Sequence, residues 1–176
     1  MKQIYEPGED SNLLKSVIAR FAQGRVLDMG TGTGILAAEA SQFTPEVIGA
    51  DINNAAIIEA SARFPDLRFV ETDLFSNISG TFDLITFNPP YLPTSADDPT
   101  DIALDGGKQG DDVLLKFFKD APKHLAPGGN ILFLASSLTP MERITKTIKD
   151  QGLQLDKIES AKIPFETLTV YKVWKP

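Results

Sequence analysis

The chain has 176 residues, of which 42% are hydrophobic and 23% charged, so its composition is that of a folded globular domain rather than a disordered chain. The absence of cysteine excludes disulfides, a thiol nucleophile and a cysteine-ligated zinc site. A formal net charge of -7 argues against a broad surface for nucleic-acid phosphates, and no apolar run suits a signal peptide or a membrane span. We therefore expect a cytoplasmic protein.

In chain order, the first predicted element is a helix over residues 11–22, with Asp10 or Ser11 placed to cap its free N–H groups. Strands and helices then alternate. The predicted strands are residues 25–29, 46–50, 67–72, 82–87 and 130–136, and the predicted helices are residues 35–43, 55–64, 111–125 and 141–151. The turn Pro127-Gly128-Gly129 is expected to stop the helix before it, and residues 153–174 read as two further strands around Ile163-Pro164-Phe165.

This alternation predicts an α/β fold in which a mainly parallel sheet is covered by helices on both faces. We find no internal repeat and no linker-like change in composition, so residues 1–176 are expected to form one domain, with residues 1–24 as its N-terminal helical lid segment. In sheets of this kind, ligands bind beyond the carboxyl ends of the strands.

A glycine-rich turn follows the first predicted strand. Gly30, Gly32 and Gly34 alternate with threonines after Asp28, whereas the dinucleotide fingerprint has the spacing G-x-G-x-x-G. Glycines here allow a ligand to approach the backbone closely at a helix N-terminus. An acid before the turn would repel a pyrophosphate but can accept a hydrogen bond from the ammonium group of an amino-acid ligand.

Two more carboxylates end neighbouring strands. Asp51 stands where an acid commonly binds two ribose hydroxyls, and Asp73, followed by the apolar Leu74, can accept a hydrogen bond from an adenine amino group. A single aspartate at a strand end is often a helix cap, and for Asp73 alone capping and binding are equally good interpretations. Together the three acids predict a pocket for a nucleoside joined to an amino acid, which describes S-adenosyl-L-methionine.

The stretch Phe87-Asn88-Pro89-Pro90-Tyr91 ends the fourth predicted strand, because proline cannot continue a sheet ladder. It is either an ordinary loop opening or a rigid site that presents hydrogen-bond acceptors. The loop that follows, residues 92–110, is longer than most loops and is expected to shape a substrate site.

With these motifs the chain resembles the class I S-adenosylmethionine-dependent methyltransferases, and more narrowly the HemK family of protein-glutamine methyltransferases. Three further stretches are similar to the branch that modifies eukaryotic and archaeal release factors, which lacks the N-terminal helical domain of the bacterial branch. They are Tyr5-Glu6-Pro7-Gly8-Glu9-Asp10-Ser11, residues 103–110 and residues 166–172. The resemblance implies a Rossmann-like fold with a seven-stranded, mainly parallel sheet and an antiparallel C-terminal strand.

The resemblance also implies a reaction, methyl transfer to the glutamine side chain of a Gly-Gly-Gln motif in a class I release factor. Asn88 and the Pro89 carbonyl would each accept one N–H of that amide, and Tyr91 would pack against it. The lid would close over the cofactor, with Ser11 contacting it and Glu9 or Asp10 ordering the lid. Cofactor contacts are expected from Ser11, Asp28, Gly30, Gly32, Asp51, Asp73, Leu74 and Asn88, without a metal.

In the implied family, a small activator protein, often zinc-binding, pairs along the sheet edge, which would here be Leu67 to Val70. The alternative is that Leu67 and Phe69 only face helices. Three rival functions remain open: methylation of exocyclic amines in DNA or RNA bases, a non-catalytic scaffold of the same fold, and a dinucleotide-dependent oxidoreductase. Direct nucleic-acid binding is not expected of this acidic chain.

Overall fold

The computed structural model describes residues 8–90 and 111–176, and these residues form a single β-sheet with helices packed on it. The helices are α1 (Glu9–Ile18), α2 (Ile35–Ala40), α3 (Asn54–Arg63), α4 (Asp112–Asp120), a 3-10 helix (Ala121–His124) and α5 (Met141–Asp150). The strands are β1 (Arg25–Met29), β2 (Glu46–Asp51), β3 (Arg68–Glu71), β4 (Phe82–Phe87), β5 (Leu125–Ser136), β6 (Gln154–Ile163) and β7 (Glu166–Trp174).

The strand order is β3-β2-β1-β4-β5-β7-β6. All pairings from β3 to β5 are parallel, whereas β7 is antiparallel to both β5 and β6. The predicted sheet of seven strands, mainly parallel with an antiparallel C-terminal strand, is therefore confirmed. Met29 is level with Ala50 on β2 and with Phe87 on β4. Because these strands end at the same level, the residues that follow them meet at one edge.

Two apolar clusters cover the two faces of the sheet, because successive strand side chains point to opposite sides. Leu27 and Met29 of β1 belong to one cluster, and Val26 belongs to the other. The first cluster is closed by α4 and α5, with Leu114, Phe117, Phe118, Ile144 and Ile148, and the second by α1 and α2, with Leu14, Val17, Ile18, Leu36 and Ala37. The predicted helices on both faces are thus confirmed.

The predicted boundaries of two helices are wrong for identifiable reasons. Helix α1 begins at Glu9, before the predicted start, and ends at Ile18. Beyond Ile18 the N–H groups of Arg20 and Phe21 donate to carbonyls three residues earlier, which is the hydrogen-bond pattern of a 3-10 turn and not of an α-helix. Helix α4 ends at Asp120 rather than Leu125, because Pro122 lies in the next turn and cannot donate a helical hydrogen bond.

The segment Pro127-Gly128-Gly129 was predicted as a turn but lies inside β5. Its pairing with β4 shifts register between Phe82 and Leu84. A Cβ at Gly129 would lie 2.9 Å from the Phe82 carbonyl oxygen, so the two backbones approach closely there. A glycine at this point therefore permits strand pairing instead of ending it.

Strand β3 lies at one edge of the sheet, as the sequence predicted. Leu67, just before β3, and Phe69 within it are partly buried against the cluster that contains α1 and α2. Their side chains therefore face inward, and the edge offers mainly backbone groups to a neighbour.

Within residues 8–90 and 111–176, no helix has the length and apolar character needed to cross a membrane.

Candidate active site

The candidate site lies at the carboxyl edge of β1 to β4, where the strands end in polar residues. Asp28 is the penultimate residue of β1, Asp51 ends β2, Asp73 follows β3, and Asn88 follows β4. The parallel pairing of these strands places all four residues along this edge.

The turn between β1 and α2 is built on glycines with left-handed backbone. The φ angles are +66° at Gly30, +52° at Gly32 and +80° at Gly34, values that side chains rarely allow. The Thr31 N–H donates to the Ala50 carbonyl at 2.9 Å, which attaches the turn to β2. The predicted tight turn at a helix start is therefore present, and α2 begins at Ile35 as predicted.

Gly34 has a second requirement, which is steric. A Cβ at this position would lie 3.0 to 3.1 Å from the side chains of Phe69, Ala60 and Phe64. The glycine thus allows α3 and β3 to pack directly against the start of α2.

Asp28 is fully buried, and two threonine hydroxyls bind its carboxylate. Thr31 Oγ1 donates to Oδ2 at 2.7 Å, and Thr86 Oγ1 donates to Oδ1 at 2.8 Å. Burial raises the pKa of Asp28 from 3.8 to about 6, with a further rise from the Asp51 charge, while both hydroxyl hydrogen bonds lower it. The carboxylate therefore joins β1, the glycine turn and β4, a role that sequence reasoning missed.

Asp51 organises the backbone beside that turn. Its Oδ2 accepts a hydrogen bond from the Gly32 N–H at 2.9 Å, and its Oδ1 accepts one from the Asn53 N–H at 2.8 Å. The cap of α3 is Asn53, whose side chain accepts from the Ala55 N–H. Each carboxylate oxygen has two lone pairs, so Asp51 retains capacity for further donors.

Asp73 is exposed at the end of β3 and lines a cavity of about 410 Å³ together with Ile52, Glu71, Thr72 and Asn77. In this turn its backbone carbonyl accepts hydrogen bonds from the N–H and hydroxyl of Ser76.

Leu74, the next residue, has φ of +46° and packs against the first apolar cluster, the one closed by α4 and α5. A left-handed leucine is strained, and such strain is concentrated at functional sites. The turn thus directs Asp73 outward and Leu74 inward.

Asn88 is held through its amide nitrogen by the first turn of α1. Nδ2 donates to Asp10 Oδ2 at 3.0 Å and lies 3.3 Å from Ser11 Oγ. Oδ1 is buried and has no hydrogen-bond partner among the described residues. Buried polar atoms are nearly always paired, so this oxygen is available to accept a hydrogen bond from a bound molecule.

The structure brings Ser11 to Asn88, although 77 residues separate them. The predicted cap of α1 is right in part: Gly8 occupies the N-cap position, but the Asp10 carboxylate accepts from the free Ser11 N–H and also binds Asn88. Pro89 is buried directly after β4, as expected of a rigid strand end. Tyr91, residues 92–110 and Tyr5-Glu6-Pro7 lie outside the described residues.

His124 takes no part in this edge of the sheet. Its Nδ1 lies 3.0 Å from the Gly80 carbonyl, just before the amino end of β4, and its ring stacks on Phe75. These contacts give His124 a structural role.

Comparison with known proteins adds three findings. A family model described as the methyltransferase small domain matches residues 6–160. The chain is 38% identical to MJ0928 of Methanocaldococcus jannaschii, provisionally described as a protein N5-glutamine methyltransferase, over 98% of this chain and 92% of that protein. It is 32% identical to the human methyltransferase HEMK2 over 98% of this chain and 90% of that protein.

Among solved structures, a chain of the E. cuniculi Mtq2–Trm112 complex superposes with a TM-score of 0.81 and 27% identity. The match covers 98% of this chain and 99% of that chain. The complex is described as responsible for methylation of the eRF1 translation termination factor.

Proposed function

The chain belongs to the methyltransferase small-domain family, in its HemK-type protein-glutamine branch, and we propose that it methylates the Gly-Gly-Gln glutamine of a class I translation release factor. Family membership makes the chain a methyltransferase, and our proposal concerns the identity of its substrate. The likeness to Mtq2–Trm112, described as methylating eRF1, supports the choice of substrate. A translation-factor substrate implies that the enzyme works in the cytoplasm. We also propose that residues 1–176 form one domain.

One observation carries the proposal: at the carboxyl edge of the sheet, Asn88 has a buried Oδ1 that no described residue pairs. An amide nitrogen is a poor nucleophile because its lone pair is delocalised into the carbonyl. Asn88 Oδ1 and the Pro89 carbonyl would each accept one N–H of the substrate amide, which orients the nitrogen and increases its electron density as the new bond forms. Tyr91 would pack against the planar amide.

The described residues fit S-adenosyl-L-methionine as the methyl donor. When bound, this cofactor supplies an electrophilic methyl group on a sulfonium. Asp28 would accept from the ammonium group and Asp51 from the ribose hydroxyls, for which its oxygens retain lone pairs. Asp73 borders a cavity in which it would accept from the adenine amino group.

The remaining cofactor contacts follow from the same arrangement. Gly30 and Gly32 would permit close approach to the backbone of the turn, since their left-handed conformations present it without side chains. Leu74 would supply an apolar wall beside the adenine. Ser11 and Asn88, which the structure brings together, would contact the cofactor beneath the N-terminal lid segment, residues 1–24.

A small activator subunit, zinc-binding in the implied family, would pair with the edge strand from Leu67 to Val70. The support is the edge position of β3 and the likeness to a structure of a two-protein complex. Because Leu67 and Phe69 face inward, pairing would depend mainly on backbone hydrogen bonds along β3.

The test is a labelling experiment with the purified chain, alone and with a candidate activator. Cofactor carrying a labelled methyl group is supplied with a release factor, with the same factor changed from Gly-Gly-Gln to Gly-Gly-Ala, or with nucleic acid. We expect label on the release factor and none on its variant. Label on nucleic acid but not on the release factor would overturn the proposed substrate.

A further inference from the structure

The contact between Asp10 and Asn88 joins the first turn of α1 to the end of β4. Asp10 is only 3% exposed, although it lies in a helix turn where acids are usually solvated. Its Oδ2 accepts a hydrogen bond from Asn88 Nδ2 at 3.0 Å, and its Oδ1 accepts one from the Ser11 N–H at 2.7 Å. Both carboxylate oxygens are therefore engaged, one of them by the amide of Asn88.

This contact determines which way the Asn88 amide faces. A carboxylate only accepts hydrogen bonds, so the NH2 end of the amide must face Asp10. Rotating the amide by half a turn would place Oδ1 about 3 Å from Asp10 Oδ2 and leave Nδ2 without this acceptor. Oδ1 is consequently directed away from Asp10, and it is the atom without a described partner.

Stability of α1 alone does not account for a buried acid at this position. Glu9, the neighbouring acid of the same first turn, is exposed and can interact with the helix dipole from there. Burying a charge costs free energy unless it is paired and hydrogen-bonded. Among residues 8–90 and 111–176, the partner that Asp10 gains by burial, apart from the adjacent Ser11 N–H, is Asn88.

We propose that Asp10 is a positioning residue that orients and polarises the Asn88 amide for the methyl-accepting group. A charged partner strengthens a hydrogen bond, and hydrogen bonds in series polarise one another, so the Asp10 carboxylate makes Asn88 Oδ1 a better acceptor. The proposal rests on the proposed function, since it requires Oδ1 to receive an N–H of the substrate amide. Helix α1 thereby contributes to the methyl-transfer step.

The test is a double-mutant cycle with Asp10→Ala, Asn88→Ala and the double variant, and with Asn12→Ala, an exposed position at the start of the same helix, as the control. For each protein, kcat, KM and the cofactor Kd are measured with the substrate that the wild type methylates, together with the thermal midpoint. We expect Asp10→Ala to lower kcat about 10- to 100-fold with little change in KM. Asn12→Ala should retain the wild-type kcat.

The cycle separates positioning from a structural role. If Asp10 acts through Asn88, the double variant is no slower than Asn88→Ala alone, because the amide to be oriented is already gone. A double variant whose loss of kcat is the product of the two single losses would overturn the proposal, as would an Asp10→Ala kcat equal to that of Asn12→Ala.

A second variant keeps the test informative if Asp10→Ala does not fold. Asp10→Asn keeps the shape but offers one acceptor and one donor, so it satisfies either the Ser11 N–H or Asn88 Nδ2, and an intermediate loss of kcat is expected. Wild-type kcat in this variant would count against polarisation by the charge. If the wild type labels another substrate instead of a release factor, the proposed function fails, while the same cycle on that substrate still tests Asp10.

Discussion

Burial of the Asp28 carboxylate makes the stability of this protein depend on pH in a direction opposite to that of a salt-bridged aspartate. The pKa is about 6 in the folded protein and 3.8 in the reference state. The folded state therefore holds a proton that the unfolded chain releases between about pH 4 and pH 6. Above pH 6 the difference destabilises the folded protein by about 3 kcal/mol. Below pH 4 this destabilisation disappears, because the carboxyl is protonated in both states.

We predict that Asp28→Asn reverses this loss. The asparagine has no charge to desolvate, so the variant gains up to about 3 kcal/mol at pH 8. It offers one acceptor and one donor to the two threonine hydroxyls, as the protonated Asp28 does at low pH, so the lost hydrogen bond is already contained in the pKa difference. The variant should therefore be about 3 kcal/mol more stable than the wild type at pH 8 and about equally stable at pH 4.

Urea denaturation from pH 4 to pH 8, followed by circular dichroism, measures this difference. Asp66→Asn, which removes the same charge from an exposed side chain, is the matched control. A difference in unfolding free energy between Asp28→Asn and the wild type that stays constant over this range would refute the reasoning. Under the proposed function the same variant binds cofactor more weakly, because a neutral amide does not pair with an ammonium charge as a carboxylate does.

Three further predictions concern single positions. Asn88→Ala should lower turnover about 10²- to 10³-fold while the calorimetric cofactor Kd changes little; unchanged turnover would remove Asn88 from the mechanism. Gly34→Ala should lower the free energy of unfolding by roughly 1–3 kcal/mol more than Gly128→Ala. Both glycines have φ near +80°, but no described atom lies within 4 Å of a Cβ at Gly128, so only Gly34→Ala creates a steric clash. Equal losses of stability in the two variants would exclude a steric cause. Phe165 is fully exposed and has a left-handed φ of +73°. Phe165→Gly should raise the free energy of unfolding by about 0.5 kcal/mol, because glycine adopts this conformation without strain. An equal gain from Phe165→Ala would contradict relief of backbone strain.

The sheet was predictable because its elements are encoded locally. Strand β4 and the start of α2 match their predicted positions, since apolar runs and glycine turns act over a few residues. The extent of β5 was not predictable. Pro127-Gly128-Gly129 has a turn-like composition, but close pairing with the backbone at Phe82 keeps it in the sheet.

The candidate site was predictable in part for the same reason. Asp28, Asp51 and Asn88 lie at or near strand ends, and parallel strands bring such ends to one edge whatever the details of packing. Their partners were not predictable. Thr86 is 58 residues from Asp28 and Asp10 is 78 residues from Asn88, so no local pattern connects them.

The sequence by itself determined the architecture, the edge at which the polar strand ends gather and the family resemblance, because each is carried by short motifs or by periodicity. Only the tertiary structure decided that Asp28 is buried with a raised pKa and that Asp10 orients Asn88 besides binding an N–H of α1. Burial and hydrogen-bond direction depend on which distant side chains meet. That information is absent from any single segment and arises when the helices pack on the sheet.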